Sequence, residues 1–346
     1  MKSLGIFKDH NDGSIKCVFD VDGNNTIIEM TLLVNREDTD VVCVPTHHFC
    51  NLGCKMCHLT NNSLNKCSKK ININDFIFAL GLTVCKQDKN NRLKETSYSS
   101  YELMCGKRRT NKKKLLLSFM GVGEPTLNIE LIREVNKRVK YIKQFLQYDE
   151  VGFALATMMP NKSIEELTRV VNEENIPLKI HFSLHTPIDK TRNELIPASK
   201  NSVKDCFEYL KTYQEIVNRN EIIMKNYGKC HKTNDVVEIH YTLIKDVNDT
   251  QEDLNAIVSL LNEYEFTIKF IRFNPKDDMF ISEKEKEWVE TIKNKTNSRV
   301  KTYSPPGKNI GSSCGEFTKH YYHEEIENEK DKEDFLEWKR KYEIFD

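Results

Sequence analysis

The chain has no net charge, no long apolar run and no second pair of closely spaced cysteines, and each absence removes a class of protein. Lys plus Arg and Asp plus Glu both number 52 in 346 residues. The whole-chain field therefore selects no polyanion, and a nucleic-acid surface must come from local charge asymmetry. No run of about eighteen apolar residues offers a membrane-spanning helix. The opening Met1-Lys2-Ser3-Leu4-Gly5-Ile6-Phe7 lacks the apolar region of a signal peptide. The expectation is a cytoplasmic protein with no membrane partner. Eleven cysteines in a chain of this size without a leader read as reduced thiols, not as a disulfide framework. No transporter, kinase or hydrolase signature occurs, and the length allows one large α/β domain or two modest ones.

What is present is a run of three thiols, Cys50-Asn51-Leu52-Gly53-Cys54-Lys55-Met56-Cys57. A CxxxCxxC spacing supplies three ligands to a 4Fe-4S cluster and leaves the fourth iron open to a small molecule such as S-adenosylmethionine. Zinc is the competing reading. It requires four ligands, His58 is poorly placed to close a tetrahedron beside Cys57, and no second CxxC pair completes the set.

The first 42 residues read as strands. Runs 14–21 and 26–34 are β-rich and flank Asp22-Gly23-Asn24-Asn25, a hairpin-turn composition. Val41-Val42-Cys43-Val44 leads into the cysteine loop. From 114 onward strands alternate with helices: strands at 115–120, 151–156, 178–185, 236–243, 267–273 and 299–303, helices at 129–147, 163–173, 203–218, 250–264 and 282–295. About six β–α units predict an α/β fold, a partial (β/α)6 TIM-like barrel with an N-terminal β-hairpin extension. Its chemistry should lie at the C-terminal ends of the strands. The expected division is 1–42 for the hairpin, 43–320 for the barrel and 321–346 for a helical tail docked on it, with Phe335, Leu336, Trp338, Tyr342 and Phe345 at partly helical spacing. Residues 86–114 form a basic insertion. Lys86, Lys89, Arg92, Lys94, Lys107, Arg108, Arg109, Lys112, Lys113 and Lys114 stand there against Asp88, Glu95 and Glu102. It reads either as a solvated loop or as a nucleic-acid contact.

Polar motifs fall at the expected strand ends. Phe119-Met120-Gly121-Val122-Gly123-Glu124-Pro125 closes the first strand after the cysteine loop; its glycines permit close backbone approach, and Glu124 can receive the ammonium of a methionine moiety. Ser183-Leu184-His185-Thr186-Pro187 ends a later strand, with Arg192 and Asn193 beyond, and can hydrogen-bond a ribose or carboxylate. His185 reads equally as a capped loop residue. Asn274 ends a further strand and could contact adenosine. Cys43 precedes the triad, and Cys314 lies in a Gly/Ser-rich loop after the last strand, a poor place to bury a small apolar residue. Cys17, Cys67, Cys85, Cys105, Cys206 and Cys230 have no such context.

Together these residues resemble the radical S-adenosylmethionine RNA methyltransferases of the RlmN/Cfr type. The resemblance runs from about Asp12 to Phe317 and includes Cys43, the CxxxCxxC loop, Gly-Val-Gly-Glu-Pro-Thr-Leu-Asn, Ser-Leu-His-Thr-Pro, Leu195-Ile196-Pro197, Asp246-Val247-Asn248-Asp249, Phe273-Asn274-Pro275 and Cys314-Gly315. It implies Cys50, Cys54 and Cys57 as cluster ligands. Gly123, Glu124, Ser183, Leu184, His185 and Asn274 would lie around S-adenosylmethionine. It implies methylation of an adenine ring carbon, C2 or C8, in ribosomal or transfer RNA, with flavodoxin or ferredoxin as electron donor. Cys314 would carry a methyl group, a 5′-deoxyadenosyl radical would remove a hydrogen from it, and the resulting carbon radical would add to the base. Cys43 would release the product by forming a disulfide with Cys314. Glu29 matches the family's base; without the family it reads as an exposed strand carboxylate.

There are departures. Only about a dozen residues precede the hairpin where the family carries a helical domain, so RNA binding would fall to the basic insertion or to a partner. A family serine is replaced by Ala154, for which Thr157 is the expected substitute. Thr46-His47-His48-Phe49 differs from the usual lead-in. The alternative is a radical enzyme of another class acting on a non-RNA substrate.

Overall fold

The computed structural model describes residues 1–23, 26–34, 36–59, 69–85, 108–311 and 329–344. Its strands form one sheet in sequence order. β1 (Lys2–Lys8), β2 (Ile15–Asp20) and β3 (Ile27–Leu33) make an antiparallel ribbon. β4 (Thr39–Cys43) pairs antiparallel with β3 and parallel with β5 (Lys114–Phe119). β6 (Glu150–Thr157), β7 (Leu178–Ser183), β8 (Val237–Tyr241), β9 (Thr267–Ile271) and β10 (Val300–Tyr303) continue in parallel. Residues of β3, β4 and β10 line one cavity, so the sheet curls until its two ends face each other. β1 and β10 do not pair. This is a partial α/β barrel with a seam.

The strands alternate in a way that decides where chemistry can sit. In β7, Leu178, Ile180 and Phe182 are fully buried in the apolar core, beneath helices; Lys179 and His181 point into the cavity. β8 repeats this with Val237, Ile239 and Tyr241 outward and Glu238 and His240 inward. Period-two side chains thus make an apolar outer face and a polar lumen.

The helices cover the outer face. They are α1 (Ile73–Val84), α2 (Ile129–Lys137), α3 (Val139–Leu146), α4 (Ser163–Glu173), α5 (Asp189–Leu195), α6 (Val203–Arg219), α7 (Glu221–Cys230), α8 (Gln251–Tyr264), α9 (Glu285–Lys295) and α10 (Glu329–Tyr342). Side-chain caps fix several starts: Ser202 accepts from Asp205 N, and Thr250 from Asp253 N at 3.1 Å. Each such cap contributes about 1 kcal/mol. None of the described helices is long and apolar enough to cross a membrane.

Several expectations need adjustment. β1, α1, α5 and α7 were not anticipated. Residues 129–147 break into two helices at Arg138, the C-cap of α2 and N-cap of α3. The tail helix α10 packs against β1 as well as the loop after β10: Trp338 packs on Phe7 at 5.0 Å and its indole N–H donates to Asn309 O at 2.7 Å. Of the basic insertion only Arg108 to Lys114 are described, and most of their charges are used internally. Arg108 donates to Lys112 O and stacks on Tyr148, Arg109 donates to Thr83 O at 3.2 Å, Lys112 holds Val34 O and Arg36 O, and Lys114 pairs with Asp38 at 3.0 Å.

Candidate active site

The cysteine loop begins where β4 ends. Thr46 N and His47 N donate to Val122 O, fastening the lead-in to the turn after β5. The two glycines of that turn serve this contact. A Cβ on Gly121 would stand 2.8 Å from the backbone of Val44 and Pro45, and one on Gly123 would stand 2.4 Å from His47 Nδ1. Gly123 also has φ +102°, a region open to glycine. The close approach read from the sequence as room for a ligand is, in the fold, room for the cysteine loop.

Cys50, Cys54 and Cys57 are half-buried. Cys57 N donates to Cys54 O at 3.0 Å, Lys55 N to Leu195 O at 2.9 Å, and the buried Lys276 to Lys55 O at 2.9 Å. Burial pushes the Cys54 thiol far above its ordinary value, and Cys57, Cys50 and Glu124 add to this. Three crowded sulfurs of this kind become thiolates together only against a strongly cationic centre. The donor set fits a cluster held by three thiolates.

Met158 and Arg192 tie that loop to the other motifs; by sequence Met158 has no site role, and Arg192 only lies beyond a strand end able to hydrogen-bond a ribose or carboxylate. Met158 N donates to Glu124 Oε2 at 3.1 Å, Met158 O accepts from Arg192 Nη2 at 2.8 Å, and the Cys54 thiol lies 3.7 Å from the Met158 sulfur. The guanidinium of Arg192, buried, also holds Leu184 O, Ser183 O and Ser199 Oγ. Glu124 is buried and uses its second oxygen on Thr126 N and Oγ1 at 3.1 and 2.8 Å. Burial raises its carboxyl above the ordinary value. These bonds make Glu124 a brace between strand ends. The Thr157 hydroxyl accepts from Met159 N at 2.9 Å, and along the strand Thr157 alternates with Ala154 and Ala156, which line the lumen.

The lumen is a cavity of about 640 Å³. Cys43 and His185 open into it beside Ser118, Met120 and Tyr303. His185 adopts a left-handed backbone, φ +59°, which a non-glycine residue holds at a cost that surrounding bonds must offset. Asn248 supplies one by donating to His185 O. Burial and nearby Arg192 bring the His185 ring down to about 4, so it is neutral at neutral pH. Leu184 is wholly buried, Ser183 half-buried, and Asn274 is half-buried after β9 and outside the cavity lining.

Glu29 is buried, not exposed, and pairs with the buried Lys16, which also donates to Gly311 O. Glu29 shares its strand face with Thr31, which lines the lumen beside Cys43. Residues 307–311 are laid over this hairpin face: Asp12 accepts from Gly307 N, and Asp9 from Asn309 N at 3.1 Å. Pro305 and Pro306 join the lumen wall. Cys314 lies three residues beyond Gly311, outside the described residues.

No family model matches the chain. It is 23% identical over 312 residues to the probable dual-specificity RNA methyltransferase RlmN of Flavobacterium johnsoniae, covering 88% of this chain and 76% of that protein. To the RlmN of Ruthia magnifica subsp. Calyptogena magnifica it is 25% identical over 316 residues, with 88% and 74% covered. The chain is similar to RlmN proteins along most of its length. The crystal structure of a radical SAM methyltransferase from Sphaerobacter thermophilus matches with a TM-score of 0.67 at 17% identity, over 91% of this chain and 80% of that one. The chain therefore shares the fold of that radical SAM enzyme, a partial TIM-like barrel.

Proposed function

We propose that the chain methylates RNA by radical S-adenosylmethionine chemistry, placing the methyl on an adenine ring carbon, C2 in preference to C8. Its RlmN relatives are named as RNA methyltransferases. The observation that carries the reading is the position of Cys43. Its thiol opens into the lumen at the C-terminal end of β4, on a wall shared with Pro305 and Pro306, eight residues before Cys314.

In this reading Cys50, Cys54 and Cys57 hold a 4Fe-4S cluster that, with bound S-adenosylmethionine, supplies a radical able to abstract hydrogen. Cys314 carries the methyl group to the base. Glu29 accepts the ring proton, with Lys16 as its partner, and the unpaired electron left on the adduct would pass back to the cluster. The thiolate of Cys43 attacks the sulfur of Cys314: an S–S bond forms as the bond from that sulfur to the product carbon breaks, and the released electron pair takes up a proton to complete the methyl group. Cellular thiols reduce the disulfide. The neutral His185 and the Ser183 strand end orient the ligand at the mouth of the lumen. The target adenine is one splayed from its stack, in a loop or single-stranded region, and a flavodoxin or ferredoxin delivers the electron.

Mass spectrometry of a Cys43→Ala variant expressed with native RNA tests this. The expected result is a nucleotide adduct trapped on the peptide containing Cys314. A variant with no adduct and undiminished RNA methylation overturns the reading.

A further inference from the structure

The lumen holds a charge imbalance that the proposed reaction does not use. Lys179, Lys269 and Lys301 come from the early or middle positions of β7, β9 and β10 and converge on a single carboxylate. Their ammonium nitrogens lie 3.3 and 3.2 Å from Glu238 Oε2 and 2.9 Å from Oε1, respectively. Asp235, the other acid nearby, is divided between Lys301 at 3.3 Å and Arg299 at 3.2 Å. Three lumen ammoniums therefore share Glu238, and Asp235 outside the lining is partly taken by the exposed Arg299. Arg36 also lines the cavity and makes no ion pair among the described residues.

Buried charge in excess is unfavourable unless a counter-charge joins it. Burial and the mutual repulsion of the lysines press the Lys179 and Lys269 ammoniums below their ordinary values, against the pull of Glu238. A second observation points the same way. His240 is buried beside them on β8, lines the cavity, and its Nε2 has no hydrogen-bond partner among the described residues.

His181, Glu238 and His240 bring their donor atoms within 4.8 Å of one another, a set that would suit a divalent cation in isolation. Here it would place that cation against the ammoniums already on Glu238. The electrostatics favour an anion.

We propose that the lower half of the lumen binds a phosphate group, held by Lys179, Lys269 and Lys301 with Arg36 and the His240 ring as further donors. The ligand is a phosphomonoester such as a mononucleotide, or a phosphate within an RNA strand that enters the barrel. A cavity of about 640 Å³ lies in the range that encloses a small-molecule ligand. This site does not depend on the proposed methyl transfer.

Calorimetric titration of the full-length, cluster-reconstituted protein at constant ionic strength tests it, with inorganic phosphate, 5′-AMP, adenosine and a short RNA lacking terminal phosphates. Phosphate and 5′-AMP should bind, and adenosine should bind at least about tenfold more weakly than 5′-AMP. Lys269→Met and Lys301→Met should each weaken 5′-AMP at least about tenfold, whereas the exposed Lys225→Met should not. Glu238→Gln removes the competing carboxylate and should tighten 5′-AMP. Near-UV circular dichroism shows whether each variant is folded. The RNA competing with 5′-AMP identifies a strand phosphate as the ligand; failure to compete identifies a free phosphomonoester. No binding of phosphate or 5′-AMP by the unmodified protein overturns the site. So does a folded Glu238→Gln protein with unchanged or weaker binding, because the lysines would then serve Glu238 alone.

Discussion

Two buried lysine–glutamate contacts stand on adjoining parts of this sheet, and their stoichiometry differs. In the hairpin, Lys16 meets Glu29 one to one and gives a second bond to Gly311 O. Deeper in the lumen, Glu238 faces three lysines. The first is closed, with the two side chains 0% and 6% exposed, and it pins a distant loop. The second opens on a cavity. A balanced buried pair needs no counter-charge from outside the chain, and removing either member leaves the other uncompensated. An unbalanced group has surplus charge, and its partner must come from outside the chain.

The largest effect should come from breaking the balanced pair. Lys16→Met leaves Glu29 buried and alone, with an expected loss of about 3–5 kcal/mol in urea denaturation. Adding Glu29→Leu should recover much of it. Lys301→Met relieves a surplus and should cost little or raise stability. If the two single variants destabilise equally, the contrast between the sites is wrong.

A smaller effect is expected at the rim that joins them. Gly123→Ala would force a Cβ to 2.4 Å from His47 Nδ1 at a φ of +102°, at about 1–3 kcal/mol. Iron bound per chain after reconstitution should fall with it, because the displaced segment leads directly to Cys50.

The smallest effect is a pH response confined to the deeper site. Burial lowers His181 from 6.5 to about 3. Between those values the unfolded chain binds the extra proton, so stability rises with pH. The contribution is complete above about 6.5 and is lost as pH falls toward about 3. Denaturation midpoints measured from pH 7.5 to 4.5 should drop less steeply in His181→Gln than in the unmodified protein.

Much of this architecture was legible because the outer face of the barrel is regular. The span 163–173 read as helix matches α4 residue for residue, since its apolar side chains recur at helical spacing against polar neighbours. α1 was not legible: from Asp75 to Val84 every residue is buried, so no polar stripe marks its period. The cysteine loop and its strand-end motifs were visible as local spacings. The lumen group was not. Leu178-Lys179-Ile180-His181-Phe182 displays a clear alternation, but the ordinary inference from that pattern sends the polar residues to solvent. Here helices cover the apolar face, and the lysines turn inward. Glu29, an exposed strand carboxylate on the pattern alone, is buried for a similar reason: its partner Lys16 reaches to Gly311, far away in sequence.

The seam between β10 and the N-terminal ribbon has a mechanical meaning of its own. Among the described residues the wall there is no ladder of main-chain bonds. It is made of side chains: polar stitches from Asp9, Asp12, Lys16 and Trp338, and Ile310 packed with Phe7, Val18 and Ile27. A cylinder closed along one line by side chains alone keeps the register of every strand pair independent of what happens at that line.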